Sequence, residues 1–260
     1  MSDPPQRNFD PDEILEDQDE IDVELRSPAE VRTRILILSA VLRRLTLENA
    51  TAAEGSDPTA EAFDEREWLR EIGLTSELTP EDAVLLNSPL GTLAPEAIIE
   101  ASWRGEALSA LAWAIDIVDL PPFDTVSDPG RVIDAVPRPW DEIHGWLGDR
   151  TLISESDVVH EREIAEIWHW RATTEVLRRS GSVGEKQDYE EAIRDVASEA
   201  LDAGLVPALR DGDFSVHGRS IKDLSGDNLD ELVAVSRQRL QALNWLCGFG
   251  ASWEDVPLDL

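Results

Sequence analysis

The sequence predicts an all-α fold, and two observations support this prediction. Apolar residues return at spacings of three and four along most of the chain, which is the period of an amphipathic helix, while the strict alternation of a strand is nearly absent. Helix start signals are frequent. Ser27-Pro28-Ala29-Glu30 and Thr79-Pro80-Glu81-Asp82 each combine a capping hydroxyl, an early proline and a first-turn acid. Such a chain is expected to pack helix on helix around a hydrophobic core.

The helices can be placed in order from these signals. The first begins after Ser27 and carries a stripe at helical spacing formed by Val31, Ile35, Leu38, Leu42 and Leu45. Further helices are predicted over 59–72, 79–87, 95–118, 130–135, 140–147, 154–180, 188–203 and 228–247. Around His217-Gly218, residues 214–222 have the pattern of a small β-hairpin.

The chain is predicted to comprise an N-terminal arm, residues 1–26, and a single all-α domain, residues 27–260. Between Asp10 and Glu24 there are many acidic residues and no basic one, a composition typical of a disordered arm. Over the whole chain 42% of residues are hydrophobic, enough for a sizeable core in a protein of 260 residues.

The net charge of −32, from 55 acidic and 23 basic residues, excludes some partners. Nucleic acids and anionic membranes both require basic faces, so neither is expected to bind. Lys186 and Lys222 are the only lysines. A GC-rich genome would explain the arginines but not the charge, so we favour adaptation to a high-salt cytoplasm. The sequence shows no membrane span or signal peptide, which predicts a soluble, cytoplasmic protein.

No catalytic residue, metal site or cofactor is predicted. Cys247 is the single cysteine, which excludes an internal disulfide, and its place in an apolar helix favours a packed thiol. Glu166 and His169 have the i, i+3 spacing of half a di-iron site, but the second half is missing, which favours a surface histidine. Zinc-protease, nucleophile-elbow and phosphate-loop signatures are absent.

Charged residues on apolar helix faces are the most informative feature of the sequence. Glu106 lies on the same helix face as Trp103 and Trp113. A lone buried charge costs several kcal/mol, so Glu106 is expected to meet a buried arginine. The arginines on or beside apolar stripes are Arg34, Arg171 and Arg239. Two interpretations stay open for this candidate cluster. We favour an internal ion pair, and the alternative is a polar pocket that binds an anion or carboxylate.

The tryptophans give a second set of candidates. Trp245 lies on the side of its helix opposite the main apolar stripe, and Trp253 follows a few residues later. We favour a C-terminal tail that folds back over Trp245, and the alternative is a partner site, because tryptophans anchor many interfaces. The candidate aromatic or partner-contact residues are Trp103, Trp113, Trp245 and Trp253.

Three segments resemble the uncharacterised domain-of-unknown-function family 4272. They are Ala242-Leu243-Asn244-Trp245-Leu246 with Trp253-Glu254, Trp103-Arg104-Gly105-Glu106-Ala107-Leu108 with Leu111-Ala112-Trp113-Ala114, and Leu78-Thr79-Pro80-Glu81. The resemblance spans about residues 28 to 260 and is most specific in the last third. Gln238, Glu254 and Leu260 depart from the family's pattern. The resemblance implies a bacterial or archaeal soluble domain without an assigned activity, so no catalytic residue is carried over.

These observations favour a non-enzymatic binding or interaction protein. An acidic protein that blocks a basic protein partner, as immunity proteins and antitoxins do, would fit the charge. The first alternative is an enzyme or small-ligand binder with a Glu/Arg pocket between helices. The second alternative is a purely structural or assembly role.

Overall fold

The computed structural model describes residues 23–48, 57–148, 150–181 and 189–258, and the all-α prediction is confirmed for them. The helices are α1 (Pro28–Glu48), α2 (Pro58–Glu71), α3 (Pro80–Asn87), α4 (Pro95–Ser102), α5 (Arg104–Ala114), α6 (Pro129–Ala135), α7 (His144–Gly148), α8 (Glu155–Ser180), α9 (Tyr189–Asp202) and α10 (Gly226–Leu246). Short 3-10 turns cover Leu74–Glu77 and Ile221–Asp223.

A small antiparallel sheet follows α9. It has the order β1 (Leu209–Arg210), β2 (Asp213–Val216) and β3 (Arg219–Ser220). The predicted hairpin is β2 with β3, in which Ser215 lies opposite Ser220. The extra strand β1 was not predicted, since a two-residue strand carries no alternation to detect.

The core is built around α1, α5, α8 and α10. Helix α1 packs against α5 and α3, and α10 packs against both α8 and α5. Buried residues occupy almost every side of α1 and α5, which is typical of a helix enclosed by other elements. Because charged residues also occur on these enclosed helices, the fold brings charges into its interior.

The helix predicted over 95–118 is wrong in two respects. It is broken at Trp103 into α4 and α5, and it ends at Ala114. The hydrogen bond from the Glu106 amide to the Trp103 carbonyl, 2.9 Å long, spans three residues and marks the break. A side chain on Gly105 would meet Pro129 of α6 at 3.1 Å, so the glycine lets α6 pack closely. At the far end Asp116 has a φ of 57°, which ends helical geometry.

The helix predicted over 140–147 is shorter than expected and begins at His144. Trp140 has a φ of 73°, in the left-handed region that a right-handed helix does not use.

The chain before α1 lies against the end of α10. The Arg26 amide donates to the Leu246 carbonyl at 2.9 Å, and its Nε donates to the Trp245 carbonyl at 3.0 Å. A side chain on Gly248, whose φ is 82°, would lie 2.6 Å from the Glu24 carbonyl oxygen, so glycine is required there. The predicted disorder of the arm falls mainly on residues 1–22, outside the described residues. None of the described helices is long and apolar enough to cross a membrane.

Candidate functional site

Glu106 and Arg239 form a buried ion pair between α5 and α10. Arg239 Nε donates to Glu106 Oε2 at 2.8 Å, and both side chains are almost fully enclosed. Ser127 completes the carboxylate's shell, with its amide donating to Oε1 at 2.6 Å and its hydroxyl to Oε2 at 2.8 Å. Charge-assisted hydrogen bonds of this kind are stronger than neutral ones. This geometry is the one expected of an internal ion pair, which is the interpretation that the sequence favoured.

The same arginine fixes the loop between α5 and α6. Arg239 Nη1 donates to the Pro121 carbonyl at 2.6 Å and Nη2 donates to the Thr125 carbonyl at 2.9 Å. Its guanidinium also lies 4.8 Å from the centre of the Phe123 ring. Burial lowers the pKa of Arg239, and the nearby Glu106 carboxylate opposes that shift. The guanidinium therefore serves as a joint between α5, α10 and residues 121–127.

Arg34 belongs to a different ion pair. Its Nη1 donates to Asp82 Oδ2 at 2.6 Å, and Arg104 donates to the other oxygen of the same carboxylate. Burial alone would raise the pKa of Asp82, but the two arginines outweigh it and the pKa lies below its usual value. Asp82 also accepts the Thr79 amide at 3.2 Å, so one carboxylate completes a helix cap and balances two guanidinium groups.

Arg171 forms a third buried group. Its Nε and Nη2 donate to the two oxygens of Asp213, at 2.6 and 2.8 Å, and Nη2 also reaches Glu175 at 3.3 Å. Ser220 donates to Asp213 at 2.6 Å. Burial would raise the pKa of Asp213, but Arg171 and Ser220 outweigh it and lower the pKa. This group ties α8 to the small sheet.

The sequence named Glu106, Arg34, Arg171 and Arg239 as one candidate buried polar cluster; all four are buried, but they are divided among three separate groups. Within the described ranges, Arg239 alone among the three arginines pairs with Glu106, while Arg34 and Arg171 bind other carboxylates. The reason is physical, because a buried guanidinium pairs with whichever carboxylate lies at contact distance, and each helix meets a different neighbour.

Sequence reasoning missed the carboxylates that pair with Arg34 and Arg171. Glu175 had a usable signal, since it stands four residues after Arg171 on the same helix. Asp82 was interpreted only as part of a capping box, which concealed its second role. Asp213 lies just before the predicted hairpin, residues 214–222, and gave no periodic signal.

The four candidate tryptophans do not form one surface. Trp245 is 7% exposed and packs edge-on against Trp253, with ring centres 5.4 Å apart. The Arg34 guanidinium lies 4.2 Å from the centre of the Trp253 ring, so the tail also covers the Asp82 ion pair. Trp103 and Trp113 are half-buried against the core. These contacts have the arrangement expected if the C-terminal tail covers Trp245.

His169 is buried, which corrects the expectation of a surface histidine. Its Nδ1 lies 3.2 Å from the Ser236 hydroxyl, and Glu166 instead accepts a hydrogen bond from Arg162 at 2.9 Å. The reason is that the broad apolar face of α8, which includes Trp168, turns His169 toward α10. No cluster of metal-ligating side chains occurs among the described residues.

Cys247 is a core thiol, as predicted. It is 2% exposed, and burial raises its pKa to about 11, so the thiol stays protonated at neutral pH. A protonated, enclosed thiol is a poor nucleophile.

A small cavity lies beside the Glu106–Arg239 pair. It has a volume of about 110 Å³, and its walls are residues 123–126, the β2–β3 turn and the beginning of α10. Its lining includes Phe123, Asp124, Val126, His217, Glu231 and Leu232. A second, wider depression of about 320 Å³ lies between α2 and α3, with Arg66 and Arg70 in its lining. Neither cavity was predicted from the sequence.

The fold and the buried site together define a mainly helical protein that pairs buried arginines with carboxylates of its own chain. The family comparison then identifies it more closely. The chain belongs to the domain of unknown function family DUF4272, which matches residues 6–190. The match includes the motifs at Leu78 and Trp103 but ends before the segment at Ala242, which lies outside the matched range. No curated protein and no solved structure shows significant similarity to the chain.

Proposed function

We propose that the protein is a cytoplasmic, non-enzymatic interaction protein that binds a basic protein partner, in the manner of an immunity protein or antitoxin. The main support for this proposal is the distribution of charge in the molecule. Among the described residues, six arginines and five acids are buried, so the interior is close to neutral. The net charge of −32 is therefore carried by the surface and by the residues outside the described ranges. A strongly acidic surface attracts and orients a basic protein.

The hydrogen bonds to the Glu106 carboxylate, all from its own chain, also support an interaction role. Glu106 accepts hydrogen bonds from Ser127 and Arg239. Arg239 donates in addition to the Pro121 and Thr125 carbonyls and to the Ser127 hydroxyl. A general acid or base needs access to a substrate proton. Glu106 is 2% exposed and surrounded by its own chain, so its arrangement favours a structural joint.

The alternative of an enzyme or small-ligand binder would be favoured by a cavity containing Glu106 and two arginines. Neither cavity described above is lined by Glu106 or by one of the buried arginines. The acidic surface has a second explanation in a high-salt cytoplasm, and this does not compete with partner binding because the two can act together.

The test begins with the gene that neighbours the one for this protein. If that gene encodes a basic protein, the two purified proteins should bind in a calorimetric titration at 0.1 M KCl, and the Kd should weaken steeply toward 1 M KCl. A partner whose lysines have been acetylated is the matched control and should bind far less. Binding that does not depend on salt or on the partner's charge would overturn the proposal, as would a basic neighbour that does not bind.

A further inference from the structure

We infer that the 110 Å³ cavity beside the Glu106–Arg239 pair receives one cationic side chain, the guanidinium of an arginine or the ammonium of a lysine. This inference rests on the proposed function, since the side chain would come from the basic partner. It adds the place at which the partner is recognised and the chemistry that recognises it.

The size of the cavity supports a single side chain. Pockets for small-molecule ligands generally span about 300–1,000 Å³, so this cavity is too small for them. An apolar cavity of about 150 Å³ can hold one benzene molecule, which sets the scale for a space of this kind. A volume of about 110 Å³ therefore accommodates the end of one long side chain and little more.

The lining matches the chemistry of a long basic side chain. Phe123 and Leu232 are buried and contribute apolar surface, whereas Asp124 and Glu231 contribute carboxylates. Lysine and arginine have an apolar stem and a charged head, and they lay the stem along apolar surface. The cavity offers an apolar wall for the stem and carboxylates for the charged head. Val126, which is 44% exposed, provides a further apolar contact.

Glu231 is the carboxylate that lacks a partner. It is exposed at the beginning of α10, and in the described part of the chain it has no ion pair or hydrogen bond. Asp124, in contrast, accepts the His217 amide at 3.2 Å and lies 3.6 Å from His217 Nδ1. An incoming cation would thus find one carboxylate already fixed and one available.

The cavity wall is held in place before any partner arrives. The Arg239 guanidinium binds the carbonyls of Pro121 and Thr125, and Asp124 ties the same loop to the β2–β3 turn. A preorganised wall lowers the ordering cost of binding. Glu106 and Arg239 are positioning residues in this scheme, since they act on the cavity through the loop.

The test uses n-butylguanidinium chloride as the probe and the full chain as the receptor. The imidazole signal of His217 is followed by carbon–proton NMR, and the other three histidines serve as internal controls. The His217→Asn variant assigns the signal, because asparagine tolerates the φ of 48° at this position. We expect a saturable shift of the His217 signal, at ionic strength matched with NaCl.

Glu231→Gln should weaken the apparent affinity for the probe about threefold to fivefold, the range of an exposed ion pair. Asp230→Asn is the matched control, since Asp230 is also exposed, is adjacent on the helix and does not line the cavity. It should leave the affinity unchanged. The inference is overturned if His217 does not shift, if n-butanol produces an equal shift, or if the two variants behave alike.

The calorimetric titration with the basic partner separates this inference from the proposed function. If the partner binds the wild type and Glu231→Gln equally, the cavity assignment is wrong and the interaction role stands. If the partner does not bind but n-butylguanidinium does, the interaction role is wrong and the cavity retains its cation specificity.

Discussion

Every fully buried arginine in the described ranges lies against a carboxylate or a backbone carbonyl. Arg32, for example, donates to the Arg150 carbonyl, and Arg44 donates to the Ser88 carbonyl. Taking charges out of water is costly, and removal of one partner of a buried pair leaves the other uncompensated, at a cost of about 3–5 kcal/mol. The effects of single substitutions at these sites follow from this cost.

Glu106→Gln should lower the free energy of unfolding by about 3–5 kcal/mol, because it leaves Arg239 buried without its carboxylate. Urea denaturation, with the slope checked for two-state behaviour, measures this loss. Glu100→Gln is the matched control. Glu100 pairs with Arg237 at 3.4 Å on the exposed side of α10, so its loss should cost less than about 1 kcal/mol.

A neutral or stabilising effect of Glu106→Gln would contradict the structural interpretation of the pair. Residues of functional sites often reduce the stability of the fold. A neutral or stabilising substitution would therefore favour a binding role for Glu106.

Stability should also depend on the protonation of Asp213. Arg171 outweighs burial and holds the Asp213 pKa below its ordinary value of 3.8. A carboxylate with a lowered folded-state pKa stabilises the protein above the unfolded-state pKa, and this contribution is lost as the pH falls through the folded-state pKa. Asp213→Asn should be less stable than the wild type at pH 7 and should lose less stability below about pH 4.

Urea denaturation across pH 2–7 measures this difference, within the range in which the protein stays folded. Asp211→Asn, an exposed change in the adjacent turn, should keep the wild-type pH dependence. If Asp213→Asn follows the wild-type curve at every pH, Asp213 does not contribute as described.

At the scale of elements, the C-terminal tail behaves as a structural part of the helix bundle. Trp253 packs on Trp245 and lies over the Arg34 guanidinium, while the Asn244 amide donates to the Pro257 carbonyl at 2.9 Å. The tail therefore shields a hydrophobic contact and an ion pair at once. A segment with these contacts should be coupled to global stability.

Truncation after Gly250 should lower the free energy of unfolding by about 2–4 kcal/mol, slightly below the range for loss of a fully buried aromatic group, because Trp253 is half-buried. Trp253→Ala should reproduce most of this loss in the full chain. Trp140→Ala is the control, because Trp140 is 52% exposed and its removal should cost less than about 1 kcal/mol. An unchanged denaturation midpoint after truncation would show that the tail is free and would make Trp245 a candidate for partner contact.

At the scale of the whole molecule, charge is divided unevenly between inside and outside. Buried arginines and acids nearly cancel in the described ranges, so almost all of the net charge of −32 belongs to the other residues of the chain, and these like charges repel each other. Self-repulsion destabilises a compact state, and salt screens it, with a Debye length of about 10 Å at 0.1 M and about 3 Å at 1 M.

The Tm should rise strongly between low salt and molar KCl, as measured by scanning calorimetry. Parallel scans in choline chloride distinguish general screening, which both salts provide, from a specific effect of potassium. A Tm that stays flat over this range would contradict salt adaptation and leave a GC-rich genome as the explanation for the arginines.

The sequence alone determined the helical class, most helix positions, the hairpin and the burial of Cys247. These features depend on local spacing and capping, as at Thr79, whose side chain accepts the Asp82 amide at 3.0 Å. The surplus of acid also follows from composition alone. Local signals were insufficient at Trp103. The sequence there has the pattern of one continuous helix, but the structure has a break between α4 and α5, where α6 packs against Gly105.

Only the tertiary structure decided which carboxylate each buried arginine takes and where a cavity forms. Arg239 and Glu106 are separated by 133 positions, and Arg171 and Asp213 by 42. A helix pattern shows which side of a helix is buried, but it does not show which helix lies opposite. Because ion pairing falls off steeply with distance and burial makes an unpaired charge costly, the choice of partner belongs to the packing of the helices.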